Sequence, residues 1–237
     1  MKRAGKLIVA LFMLVSVAAP AMGGTRSDAE PPNIVFILVD DLGWGDLSCY
    51  GQTNWTTPRL DRMADEGMRF ERAYAGSTVC APSRATLMIG NHTGKLYMRG
   101  NGKIQLRRGT HDVTIATRLR ELGYATAMIG KSGVACNSSD LKLPHDKGFD
   151  EFYGLLSHIE AHRHYPRKLV DNGQWVEIEG NAGKTGEVYA SELFVERAIQ
   201  WVEDRDRARP FFLHLALTPP HADLIAPERY MQRFRGT

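Results

Sequence analysis

The feature that most constrains the fold is an almost unbroken apolar run near the start of the chain, residues 34–39, which read IVFILV. Most of its residues are β-branched, and polar residues do not alternate with them. Both properties are typical of a strand that lies inside a parallel sheet and is covered on both faces. The run therefore predicts a central parallel strand in an α/β protein.

Alternating helix and strand patterns along the chain extend this prediction. Helices are predicted over residues 57–67, 83–89, 114–122 and 189–203, and strands over residues 69–76, 124–129 and 211–217. Asn172-Gly173 is typical of a tight hairpin turn. Together these elements predict a mostly parallel central sheet with helices on both faces.

Polar residues follow three of the predicted strands. Asp40 and Asp41 follow the strand over residues 34–39, Lys131 follows the one over 124–129 and His221 follows the one over 211–217. Since ligands in open α/β sheets bind at the carboxyl ends of strands, we expect these side chains to share one site. A solvated turn is the alternative for the two aspartates, because Asp favours turns. His214 lies inside its strand and is predicted to be a core histidine with its hydrogen bonds satisfied.

The segment Cys80-Ala81-Pro82-Ser83-Arg84 is the most specific motif of the chain. A helix is predicted to open just behind the cysteine, and Pro82 fits its first turn, where no N–H is lost. Cys80 would then lie over unpaired backbone N–H groups at the positive helix end. For a lone cysteine, the alternative is a small hydrophobic residue on a loop.

These motifs resemble the formylglycine-dependent sulfatases of the alkaline-phosphatase-like superfamily. The resemblance is carried by C-x-P-S-R at residues 80–84, V-D-D-x-G at 39–43, G-K at 130–131, G-F-D at 148–150 and P-H at 220–221. It extends over residues 33–237 and implies the sulfatase-like α/β fold.

Three positions depart from the family pattern. Ile89-Gly90 replaces the usual T-G after the signature helix. Ser132 and Gly133 stand where the family usually has Trp and His.

The resemblance implies an arylsulfatase-like hydrolysis of sulfate esters, with four residues in catalytic roles. A formylglycine-generating enzyme would oxidise Cys80 to an aldehyde, whose hydrate is the nucleophile. Arg84 would steady the hydrate, and Lys131 and His221 would bind the sulfate. His221 would also protonate the leaving oxygen.

The resemblance also implies a divalent metal, Ca²⁺ or Mg²⁺. Its ligands would be Asp40, Asp41 and the group made from Cys80. Oxygen ligands are those that such hard cations prefer.

A cluster of polar residues follows the G-F-D segment in the sequence, with histidines at positions 158, 162 and 164. Three histidines in seven residues could indicate zinc, but no cysteine lies nearby and a hard-ion site is already predicted. We favour a substrate-facing loop in which His162 contacts the substrate. Exposed loop histidines remain the alternative.

Sulfatases are longer than this chain, so residues 24–237 are expected to form the N-terminal part of a catalytic domain. Later metal ligands and a later lysine of the family would then be missing, and the sheet would have an exposed edge. Such a fragment is expected to bind Ca²⁺ weakly and to be inactive. Two alternatives stay open: a phosphoryl-ester hydrolase of the same superfamily (phosphodiesterase or phosphonate hydrolase), and a non-catalytic truncated remnant.

Residues 1–23 are typical of a secretory signal peptide. Lys2, Arg3 and Lys6 precede a short apolar run, and small residues follow it. Its removal lowers the formal net charge from +3 to 3 − 3 = 0, so the charge does not favour a nucleic-acid partner. No stable membrane association is expected. In an oxidising compartment Cys49 and Cys136 could pair, and two free thiols are the equal alternative.

The resemblance implies a sulfated small molecule or carbohydrate as the substrate. The predicted leader indicates that the protein acts in the periplasm or outside the cell. Protein recovered outside the cytoplasm should begin after Ala21 or Gly23. N-terminal sequencing checks this, and retention of Met1 would identify the segment as an anchor instead.

Overall fold

The computed structural model describes residues 30–102, 105–133, 135, 140–157 and 159–235. The predicted signal peptide, Cys136 and His158 lie outside the described residues. Cys49 and Cys80 are free cysteines. Pro32–Thr237 belong to one compact unit.

The described residues of this unit form six strands and six α-helices, with short 3-10 turns between them. The strands are β1 (Ile34–Asp40), β2 (Ala125–Lys131), β3 (Glu151–Leu155), β4 (Lys168–Asp171), β5 (Gln174–Glu177) and β6 (Phe211–Pro220). The helices are α1 (Pro58–Glu66), α2 (Cys80–Ile89), α3 (Ile115–Glu121), α4 (Leu143–Asp146), α5 (Ala190–Asp204) and α6 (Glu228–Met231). Among the described residues no helix is both long and apolar enough to span a bilayer.

All six strands form one sheet in the order β1-β6-β2-β3-β4-β5. The pairs β1–β6, β6–β2 and β2–β3 are parallel, whereas β3–β4 and β4–β5 are antiparallel. Asn172 and Gly173 join β4 to β5 with positive φ at both positions, as a two-residue hairpin requires. The prediction of a mostly parallel sheet is confirmed.

Hydrophobic clusters cover both faces of this sheet. On one face, α2 and α3 pack through Ala85, Met88 and Ala116 near Met128 and Phe212. On the other face, α5 packs through residues including Phe194 and Ala198 near Ile129, Leu213 and Leu215. Since side chains along a strand alternate between faces, Phe212 and Leu213 of β6 serve opposite clusters. Helices on both faces are therefore confirmed.

The central strand is β6, and the prediction that the first apolar run is central and covered on both faces is wrong. β6 is buried along most of its length and lies between β1 and β2. β1 forms the outer edge of the sheet, and Val35 and Ile37 are about half exposed. The apolar run identified the strand correctly, but the order of strands depends on contacts between distant segments.

Two other predictions of single elements differ from the structure. The strand predicted over residues 69–76 is wrong, because these residues are exposed and form bends and irregular backbone, although α1 directly before them is confirmed. The strand β3 was not predicted, because its five residues alternate only briefly before Gly154.

His214 is a core histidine, as predicted, but its hydrogen bonds are not satisfied. It lies in β6, stacks on Phe36 with 5.6 Å between ring centroids, and its Nε2 has no hydrogen-bond partner among the described residues. Burial, helped by the positive charge of Arg84, lowers the pKa of His214 from 6.5 to about 3. The ring is therefore neutral in the folded protein.

This histidine should make the protein sensitive to acid. Between pH 6.5 and about 3 the unfolded chain binds a proton at His214 that the folded chain does not, so the free energy of unfolding falls as pH falls. The loss approaches ~1.4 kcal/mol per pH unit in this window. Thermal unfolding at pH 7.5 and 5.5 should show a smaller loss for His214→Gln than for the unmodified protein. His111→Gln, which changes an exposed histidine, is the matched control; equal losses in all three proteins would contradict the assignment.

Candidate active site

The candidate active site lies where β1, β2 and β6 end and α2 begins. Asp40 is the last residue of β1, Lys131 is the last of β2, and His221 follows the end of β6. Cys80 is the first residue of α2. The sequence predicted this meeting of strand ends, and the structure brings these residues together with Arg84.

Asp40 is the centre of a buried ionic cluster. Its Oδ1 accepts a hydrogen bond from Nη2 of Arg84 at 2.9 Å, and its Oδ2 accepts one from Nζ of Lys131 at 2.5 Å. All three residues are almost fully buried, with exposed fractions of 4% for Asp40, 3% for Arg84 and 0% for Lys131. A second bond, from Nη1 of Arg84 to the carbonyl oxygen of Lys131 at 3.0 Å, fixes the guanidinium between the two strands' ends.

The charges of this cluster are unequal. Burial alone would raise the pKa of Asp40, but the charges of Arg84 and Lys131 and their hydrogen bonds outweigh it, so the pKa is lowered. Asp40 is therefore ionised and balances only one of its two cations. The excess positive charge favours an anion beside the cluster.

Cys80 shares a cavity of about 260 Å³ with Asp40 and Arg84 of this cluster. The lining includes Asp40, Asp41, Cys80, Ser83 and Arg84. Because Cys80 and Arg84 are four residues apart on α2, they lie on the same face of the helix, one turn from each other. The cavity thus joins the predicted nucleophile, the carboxylate pair and a guanidinium.

Gly130 allows β2 to approach β6 closely just before Lys131. Its φ is +107°, and a Cβ atom there would lie 2.0 Å from the carbonyl oxygen of Ala216. Only glycine fits such a contact. The glycine of the G-K pair therefore sets where β2 delivers its lysine.

Gly133 gives a physical reason for one departure from the family pattern. Its φ is +65°, and a Cβ atom there would lie 2.2 Å from Cδ of Arg84. The aliphatic stem of Arg84 fills the space that a side chain would need. A histidine side chain at position 133 would clash with the side chain of Arg84 in this conformation.

Asp41 and two histidines form the more exposed side of the site. Asp41 has positive φ, and its Oδ2 lies 3.3 Å from Nε2 of His221. The ring of His221 stacks on that of His162, with 3.7 Å between centroids and 13° between planes. His164 is buried, and its Nε2 lies 3.2 Å and 2.9 Å from the carbonyl oxygens of His221 and Asp223. Exposed loop histidines, the alternative for His162 and His164, are therefore excluded.

Two donor sets in this region could hold a metal ion. The adjacent carboxylates of Asp40 and Asp41 offer oxygen donors, which suit a hard divalent cation. Asp40, His162 and His221 also place one ligand atom each within 4.8 Å of one another. The donors of the first set fit Ca²⁺ or Mg²⁺ in kind, and a shell of six or more oxygens requires further ligands, such as water or substrate.

One contact of the nucleophile was missed by the sequence analysis. Asn101 donates a hydrogen bond from Nδ2 to Sγ of Cys80 at 3.2 Å, and its Oδ1 accepts one from the N–H of Ala81 at 3.0 Å. In sequence, an asparagine in a glycine-rich loop indicates only a turn. No local signal could have found this contact.

Comparisons with known proteins agree with this geometry. The sulfatase family profile matches residues 32–237. The N-acetylgalactosamine-6-sulfatase of Canis lupus familiaris is 31% identical over 243 residues, which is 93% of this chain and 45% of the relative. The arylsulfatase of Klebsiella aerogenes is 30% identical over 248 residues, 94% of this chain and 50% of the relative. The chain therefore spans about half the length of these relatives.

Solved structures are also similar to most of this chain, and the similarity covers less than half of each solved chain. One, a protein in complex with its substrate D-glucosamine-2-N,6-O-disulfate, has a TM-score of 0.73 and 29% identity, over 88% of this chain and 38% of that chain. Another, in complex with a neocarrahexaose, has a TM-score of 0.66 and 26% identity, over 87% of this chain and 49% of that chain.

The contact between Gly133 and Arg84 yields a stability prediction. Gly133→Ala adds a Cβ against a buried arginine stem, whereas Gly109→Ala adds one at a similar φ of +67° with no atom within 4 Å. Both variants carry backbone strain, and Gly133→Ala should lose about 1–3 kcal/mol more through overpacking. Thermal unfolding of the two variants measures this difference. Equal losses would mean that Arg84 can move away freely.

Proposed function

This chain belongs to the sulfatase family, and we propose that its site hydrolyses sulfate esters through a formylglycine made from Cys80. The observation that carries the proposal is the buried cluster of Asp40, Arg84 and Lys131 beside the first residue of α2. That cluster has an excess positive charge next to a cysteine at a helix N-terminus. An anionic ester has a binding place and a nucleophile at the same position.

The chemistry of the nucleophile comes from the modification of Cys80. A formylglycine hydrate would supply one hydroxyl that attacks sulfur while the S–O bond to the alcohol breaks and the alcohol leaves. The second hydroxyl would then lose its proton and re-form the aldehyde, which breaks the C–O bond to sulfate, and water would regenerate the hydrate. Cys80 and Arg84 share one face of α2, so the guanidinium is placed to hold the reacting group and the sulfate oxygens. Lys131, fully buried behind its bond to Asp40, would add positive charge to the site.

Asp40 and Asp41, with the group made from Cys80, would hold a Ca²⁺ or Mg²⁺ ion. Such an ion supplies a Lewis acid that polarises a sulfate oxygen. The lowered pKa of Asp40 keeps its carboxylate available as a ligand. Its bonds to Arg84 and Lys131 hold that carboxylate in a fixed position.

His221 is the group best placed to protonate the leaving oxygen. Its Nδ1 lies 2.6 Å from the carbonyl oxygen of Ala222, and its Nε2 lies 3.3 Å from Asp41. An imidazole ring is the side chain that most often transfers a proton to a leaving group, so His221 is proposed as the general acid. The ring of His221 stacks on His162, and the carbonyl oxygen of His221 lies close to Nε2 of His164. Both contacts keep His221 at the edge of the site.

A sulfated carbohydrate is the proposed substrate class. The relatives include sulfatases of N-acetylgalactosamine-6-sulfate and N-acetylglucosamine-6-sulfate by name, and similar structures hold a disulfated glucosamine and a neocarrahexaose. His162, stacked on His221, is the proposed substrate contact. The predicted leader supports action in the periplasm or outside the cell, with a formylglycine-generating enzyme as a transient partner.

Conversion of Cys80 tests the proposal directly. After coexpression with a formylglycine-generating enzyme, the peptide that contains Cys80 should have the mass of the aldehyde or its hydrate. The peptide that contains Cys49 is an internal control and should keep the mass of its thiol. A Cys80 peptide that stays a thiol under these conditions would remove the proposed nucleophile.

Because residues 24–237 alone are expected to be inactive, ester specificity is measured on a converted protein extended to the length of the family's catalytic domain, with Cys80→Ala as the background, and the aryl sulfate should be the preferred ester. An aryl sulfate and an aryl phosphate are offered side by side. Preference for the phosphate would assign the site to phosphoryl esters instead.

A further inference from the structure

Asn101 connects the loop after α2 to the first turn of that helix. Its side-chain amide contacts two groups at once: the sulfur of Cys80 and the N–H of Ala81. We infer that Asn101 aims the side chain of residue 80 into the site and donates a hydrogen bond to its reacting atom.

The orientation of the amide follows from the helix. The first N–H groups of a helix have no acceptor within the helix. Val79, the residue in the N-cap position, makes no side-chain cap, and Asn101 supplies the missing acceptor through Oδ1. The amide nitrogen must then face the sulfur, so the contact with Cys80 is a donation of N–H.

The loop that carries Asn101 is held firmly. Leu96 and Met98 are buried in the core, and Arg99 donates from Nε to the carbonyl oxygen of Leu96 at 2.8 Å and from Nη2 to that of Gly94 at 3.0 Å. Thr93 donates from Oγ1 to the carbonyl oxygen of Gly76 at 2.5 Å, just ahead of α2. These contacts place the amide before any substrate binds.

A neutral donor at this position favours negative charge on the reacting atom. In the unmodified protein this donor contacts the sulfur of Cys80 and holds it toward the cavity, where an alkylating reagent reaches it. After conversion, the oxygens of the aldehyde hydrate are attached to the same carbon that carried the sulfur, so the same N–H faces the attacking group. In this respect the inference rests on the proposed function.

Alkylation of the unmodified thiol by iodoacetamide at fixed pH tests the inference without any conversion of Cys80. Asn101→Ala removes both hydrogen bonds. Asn101→Asp keeps an acceptor for the Ala81 N–H but places a negative charge, with no donor, beside the sulfur. Mass analysis of the separated peptides reports Cys80 and, as an internal reference, Cys49.

Both variants should slow the alkylation of Cys80 relative to Cys49, Asn101→Ala by about threefold to tenfold, as expected for one hydrogen bond, and Asn101→Asp by at least as much. The melting temperature should fall for Asn101→Ala and stay near that of the unmodified protein for Asn101→Asp. If Asn101→Asp alkylates at the unmodified rate, Asn101 is a helix cap only and the inference is wrong. A faster rate in Asn101→Ala would likewise overturn it, since the residue would then merely shield the sulfur.

A failed conversion of Cys80 to formylglycine would leave this result unchanged, because the alkylation reads the thiol. The two proposals can therefore fail separately.

Discussion

The carboxylate of Asp40, held between Arg84 and Lys131, is the interaction on which the rest of the site depends. It joins the ends of β1 and β2 to the first turns of α2, three elements that are far apart in sequence. Charges buried this deeply are costly, and removal of one partner from such a group typically costs about 3–5 kcal/mol. The ends of β1 and β2 and the start of α2 are therefore fixed relative to one another by electrostatics as well as by packing.

The same cluster lies where the proposed metal site and the proposed anion site meet. Asp40 and Asp41 are adjacent in sequence but point into different surroundings: Asp40 faces two buried cations, and Asp41, 63% exposed, faces His221. In the proposed reaction, the buried side would supply positive charge for a sulfate group. The exposed side would add the second carboxylate for a cation and a histidine for proton transfer, so these proposed roles differ in burial.

Much of this arrangement could be predicted from the sequence, because polar residues at the ends of parallel strands must gather at one edge of the sheet. Asp40, Lys131 and Arg84 followed from that rule and from the motif at Cys80. The position of β6 at the centre could not be predicted, because strand order depends on pairing between segments more than 80 residues apart, such as Ala125 with Phe211. Asn101 was missed for the same reason: its role depends on how a loop folds back over a helix end.

The exposed outer edge of β1 has a consequence for the behaviour of the protein in solution. Within the described residues its backbone N–H and C=O groups on that side pair with no strand, and apolar side chains flank them. An edge of this kind can add a strand from another molecule. Within the described residues, the strand that carries the central aspartate of the site therefore also presents an open edge at which a further strand can pair.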